Sequence, residues 1–204
     1  TVTAKVGEGE LTNSTPSEAY NKQAHTIVKK DIVKKPSETI AKPDLSGTTG
    51  VTGVRDNNVE KTYENSGITA VDFKNAVPTL TPNSTQEVPV TITYTDGSQE
   101  DANVTLKVSP EAPTAPTVGQ WQNGNLKVTP DKTNGGNQIE IPLVSGGTIV
   151  VKKGDDGNWK VDGDHPDVHV RDGVIEVPAD KVGNNVTVTA KVGEGELTNS
   201  TPSE

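Results

Sequence analysis

Residues Val88 to Val108 read VPVTITYTDGSQEDANVTLKV. Val88, Val90, Ile92 and Tyr94 alternate with polar residues, and Val104, Leu106 and Val108 do the same on the far side of a Thr95-Asp96-Gly97-Ser98 turn. An apolar period of two marks a strand with one face buried. Asp-Gly between two such runs supplies the positive backbone angles that a tight hairpin needs. The stretch predicts a pair of antiparallel strands and sets the fold class as all-β.

Upstream the pattern weakens. Thr26-Ile27-Val28 and Asp31-Ile32-Val33 are short apolar patches among lysines, and Pro36 and Pro43 break the run into short strands or extended pieces. Residues 44–60 are rich in Gly, Thr, Asp and Asn, which reads as loop with one strand in it. Between Thr69 and Val77, the spacing of Ala70, Phe73 and Val77 predicts a short helix.

Downstream, Pro110, Pro113 and Pro116 recur at three-residue spacing. Such a run favours a stiff extended segment, and residues 111–117 read as a linker. Beyond it, strands are expected at 124–129, 138–143, 148–152, 159–161, 168–170, 174–177 and 186–192. Turn residues separate them, as in Asp155-Asp156-Gly157-Asn158 and Asp172-Gly173. Seven short strands with turn chemistry between them fit a sandwich of immunoglobulin type, with Trp121, Trp159, Ile149, Val161, Ile175 and Val188 as expected core.

The two ends of the chain are the same. TVTAKVGEGELTNSTPSE begins at Thr1 and again at Thr187, an offset of 186 residues without a mismatch. A period this long belongs to a tandem array whose unit holds more than one domain. The expected organisation is a tail of the preceding unit (1–18), a first domain (19–110), the linker (111–117) and a second domain (118–204). The tail reads as a hairpin or last strand cut off from its sheet, expected to be loose or to dock on a neighbouring edge.

Composition narrows the function. Hydrophobic residues make up 29% and aromatics 3%, with a mean hydropathy of −0.59; abundant Val and Thr still favour a thin-cored β protein over disorder. A net charge of −9 argues against nucleic acid, which needs a basic footprint. Without Cys there is no disulfide framework and no thiolate metal site. No apolar stretch approaches the length of a membrane span, and no signal peptide is visible.

Chemistry-bearing motifs are few. Asp155, Asp156, Asp162, Asp164 and Asp167 cluster in two loops, and two readings stand: turn capping, and a calcium site, since calcium takes six to eight oxygen ligands. Their spacing does not fit an EF-hand. His165 and His169 flank Pro166 and lack two further zinc ligands apart from Asp164 and Asp167. His25 stands alone. A Lys–Asn isopeptide crosslink would need a carboxylate buried beside both partners, and no such trio can be assigned. There is no nucleophile elbow and no phosphate loop. With so little aromatic surface for a substrate cleft, the chain reads as a non-enzyme without a resident cofactor.

Val88–Val108 resembles the closing hairpin of Rib and alpha-like surface repeats of Gram-positive bacteria, although residues 19–80 depart from the short Rib pattern. KKGDDGNWKV from Lys152 and GVIEVPADKVGNNVTVTA to Ala190 resemble the immunoglobulin-like repeats of cell-wall-anchored adhesins. The resemblance implies a secreted, wall-anchored surface protein concerned with adhesion and biofilm, of which this chain is one part. Two functions follow from it. One is a stalk whose copies lift a binding domain away from the cell wall, its partners being adjacent identical units. The other is an adhesive or self-associating module with weak homophilic contacts, modulated by calcium.

Overall fold

The computed structural model describes the backbone of residues 3–6, 13–16 and 120–122, and backbone and side chains over 25–119 and 124–204. The chain is all-β, and its described residues form 18 strands in five sheets. No helix among the described residues is long and apolar enough to cross a membrane.

Strands β1 (Thr3–Val6) and β2 (Asn13–Pro16) form a two-stranded sheet of their own. Two larger assemblies follow, and in each a pair of sheets shares one set of buried side chains.

In the first half, β3 (His25–Lys30), β5 (Gly50–Asp56) and β6 (Val59–Thr62) make a three-stranded sheet in the order β3-β5-β6. The facing sheet has the order β4-β9-β8-β7, from β4 (Ile32–Lys34), β7 (Ile68–Phe73), β8 (Ser84–Tyr94) and β9 (Gln99–Val108). Its centre is the hairpin expected from the sequence. Val88 pairs with Val104 and Ile92 with Glu100, and Gly97 carries the turn at φ +81°. Val90, Ile92, Val104 and Leu106 are fully buried against Val51 and Val54 of the other sheet. β4 joins β9 in parallel, Ile32 opposite Leu106 and Lys34 opposite Val108.

Two expectations fail in this half. Residues 68–73 form a strand, not a helix. Its register shifts between Ile68, opposite Tyr94, and Ala70, opposite Thr93, which leaves Thr69 as an extra residue. Ala70 and Phe73 are half-buried within the strand, whereas Val77 lies beyond it and is exposed, so the three residues do not share one buried face. Residues 44–60 hold two strands, not one, after a short 3-10 turn at Lys42–Leu45. Their glycines are close-approach positions: a Cβ on Gly53 would lie 2.1 Å from the Lys61 carbonyl oxygen.

In the second half, one sheet runs β10-β11-β16-β15, from β10 (Thr117–Gln122), β11 (Asn125–Thr129), β15 (His169–Arg171) and β16 (Val174–Pro178). The other runs β14-β13-β12-β17-β18, from β12 (Gln138–Pro142), β13 (Thr148–Lys153), β14 (Trp159–Asp162), β17 (Thr189–Val192) and β18 (Asn199–Pro202). Ile139, Ile141, Ile149, Val151, Ile175, Val177 and Val188 are all fully buried between them. Trp159 and Val161 pack at the edge of this core, and the Trp121 side chain lies outside the described residues. β10 was not foreseen. β10 begins at Thr117, inside the expected linker, and β18 makes the final hairpin with β17.

Candidate functional site

Three of the five loop carboxylates, Asp156, Asp162 and Asp167, are occupied in a turn cap or ion pairs. Asp156 Oδ1 accepts the Asn158 N–H at 3.1 Å, and its Oδ2 faces Lys160 Nζ at 2.9 Å. Lys160 first, and then the Asn158 N–H, hold the Asp156 carboxyl down to about 2. Asp162 pairs with Lys152 at 2.7 Å and Asp167 with Lys181 at 2.5 Å. Asp155 and Asp164 are exposed. Among the described residues, no three His, Asp or Glu side chains converge as a metal-binding group. His165 closes a turn through its carbonyl, which accepts the Val168 N–H, and His169 starts β15 facing solvent.

His25 does not stand alone. It opens β3, and pairing with β5 brings its Nδ1 to 2.7 Å from Asp56 Oδ1. Its Nε2 lies 2.8 Å from Glu100 Oε1 on β9 of the facing sheet. The Tyr94 hydroxyl on β8 donates to the same Glu100 oxygen, and Lys61 on β6 approaches Asp56 at 3.3 Å. The ring therefore ties one sheet to the other between two carboxylates. The Asp56 hydrogen bond is the main reason that His25 protonates above its ordinary value, and it also holds Asp56 below its own. Nothing adjacent in sequence signals this group, because Asp56 and Glu100 reach His25 only through strand pairing.

The third feature is the segment between the halves. At one end Ser109, 1% exposed, donates its N–H to the Lys34 carbonyl at 2.9 Å, and its own carbonyl accepts the Asn83 N–H. At the other end the second half grips the proline run. Asn199 Nδ2, from the start of β18, donates to the Pro110 carbonyl at 3.3 Å. Asn134 Nδ2 donates to the Ala112 carbonyl, and the Asn134 carbonyl accepts the Thr114 N–H at 2.7 Å. Asp131 Oδ1 fixes that loop by accepting the N–H groups of Thr133 and Asn134. Pro113 and Pro116 are buried.

Electrostatics add to the joint. The 3-10 turn Gly195–Leu197, which links β17 to β18, lies against β4. Lys107 is held above its ordinary value first by Asp31, 2.6 Å away, with Glu196 of that turn adding to the effect. Hydrogen bonds from both halves thus hold the segment on either side of the prolines. Asn199 could not have been singled out from the sequence, because its role depends on where the last hairpin docks.

Paired sheets joined by a bonded segment, with Asp156, Asp162 and Asp167 each paired to a lysine, make up an all-β chain. No protein-family model matches it. It is similar to the extracellular matrix-binding protein EbhB of Staphylococcus aureus strain N315, at 31% identity over 107 residues, which is 52% of this chain and 2% of that protein. The extracellular matrix-binding protein ebh of strain NCTC 8325 matches at the same identity and length, over 1% of its own chain. The chain thus spans only one to two hundredths of the length of these relatives.

Proposed function

We propose that this chain is a non-catalytic structural repeat of a bacterial surface protein, with two β-sandwich domains at 19–110 and 118–204 held in line by residues 111–117. The relatives that the chain is similar to are named as extracellular matrix-binding proteins, and a wall-anchored stalk projecting an adhesive domain fits that setting. The observation that carries the reading is the joint. Bonds from Lys34, Asn199 and Asn134 restrain the connecting segment in a way that a flexible tether would not need. Small-angle scattering tests it. An extended particle is expected, and Asn199→Ala with Asn134→Ala should broaden its distance distribution. A particle already as compact as one globule, or one unaffected by both substitutions, refutes the stalk.

A second reading is favoured by the relatives' names: the repeat itself adheres. Direct binding of the purified chain to an immobilised extracellular matrix preparation separates the two, since a stalk repeat should not bind.

A further inference from the structure

We propose that Asn134-Gly135 is a spontaneous deamidation site through which the joint between the two halves loosens irreversibly with age. Two separate demands of the fold place this pair in the loop 131–136. The first is steric. A Cβ on residue 135 would lie 2.3 Å from the Asp131 carbonyl oxygen and 3.0 Å from the Asp131 nitrogen, so only glycine fits there. The second is chemical. The grip on the proline run needs a donor at residue 134, and Asn134 Nδ2 donates to the Ala112 carbonyl at 3.2 Å.

Asn followed by Gly is the least hindered arrangement for backbone attack on a side-chain amide, because the attacking residue carries no side chain. Asn134 is exposed, so water reaches it. In the reaction the Gly135 nitrogen bonds to Asn134 Cγ, the Cγ–Nδ2 bond breaks, and ammonia leaves with the Gly135 proton. Water then opens the five-membered imide at either carbonyl. One opening leaves aspartate. The other leaves isoaspartate, with one more carbon in the main chain.

Both products strike the joint, because the bonds that residue 134 makes to the linker sit on the groups that the reaction changes. Nδ2 is lost, and the carboxylate in its place can only accept, so it cannot bond the Ala112 oxygen. In isoaspartate the main chain runs through Cγ, and the carbonyl that accepts the Thr114 N–H at 2.7 Å becomes a side group. A second anion also enters a loop that already holds one. Asp131 Oδ1 accepts the Asn134 N–H at 2.7 Å, and that bond first of all holds Asp131 below its ordinary value. In the closed joint the bond to Ala112 fixes the Asn134 side chain, so the imide forms during local openings. Each event removes a bond that kept the joint shut. The inference needs only the bonds of the joint, and its failure would leave the stalk reading intact.

The test ages the full chain at mildly alkaline pH and follows amide-to-acid conversion by peptide mass spectrometry, which separates Asn134 from the chain's other Asn-Gly pair, Asn123-Gly124. Conversion at Asn134 is expected. Asn199→Ala removes the bond to Pro110 without altering the loop 131–136, and should speed that conversion several-fold. Asn134→Asp, made directly, should speed amide hydrogen exchange over residues 111–117 several-fold while leaving exchange in both cores unchanged. An Asn134 that keeps its amide, a rate unmoved by N199A, or linker exchange in N134D equal to that of the unsubstituted chain overturns the proposal.

Discussion

Replacing Ile141 by Ala tests whether the two halves are separate cooperative units. Ile141 is fully buried on β12, a strand flanked on both sides by β13 and β17, directly opposite Ile149. A site enclosed in this way relaxes little, so the loss should fall in the middle of the usual range, about 3–4 kcal/mol. For a unit of ~90 residues that is a drop of about 15–25 °C in midpoint. The joint couples the halves, and a bond such as Asn199 to Pro110 contributes about 1 kcal/mol. The first half should therefore move by no more than ~5 °C. Both tryptophans, Trp121 and Trp159, lie in the second half, so their fluorescence follows that half alone. Calorimetry follows both. If the first-half transition falls as far as the fluorescence transition, the two cores behave as one unit and the division at 111–117 is wrong.

Two further outcomes are expected. His25 protonates above its ordinary value, so its contribution is complete below that value and is lost as pH rises through the raised one; Asp56, held low, loses its contribution as pH falls through the lowered one. Urea midpoints of the first half should thus decline on the alkaline side by less than ~1 kcal/mol, because the ring is 37% exposed, and His25→Gln should flatten that decline; an unchanged pH profile would dismiss the clamp. Gly136→Ala should cost ~2 kcal/mol or more, since φ is +76° and the new Cβ would lie 2.2 Å from the Lys191 carbonyl oxygen; a neutral effect in tryptophan-monitored unfolding would show that β17 is not held as closely as described.

The legible parts of the fold were those where one local rule operates. Val88–Val108 alternates cleanly around an Asp-Gly turn, and the second half repeats that grammar strand by strand. Trouble began where backbone approaches backbone. Gly50 and Gly53 read as loop, yet Gly53 sits mid-strand because Lys61 leaves no room for a side chain. The spacing of Ala70, Phe73 and Val77 gave a false helical signal, because β7 ends at Phe73 and Val77 is exposed beyond it. Long-range pairing was hidden altogether: neither the parallel β4–β9 ladder nor the meeting of His25 with Asp56 and Glu100 leaves a mark on neighbouring residues. Loop carboxylates were easy to see and hard to interpret. Turn capping and calcium binding ask for the same residues, and only the positions of Lys152, Lys160 and Lys181 show where the charges are spent.

The β4–β9 pair also bears on how the chain would carry tension. β4 lies near the start of the first half and β9 ends it, and the two run in the same direction. A pull applied at opposite ends of this half drags them past each other lengthwise. The rungs from Ile32–Leu106 to Lys34–Val108 are then strained together, whereas an end-to-end hairpin would open one rung at a time. A short parallel ladder so placed makes this half a buckle that has to slip as a whole.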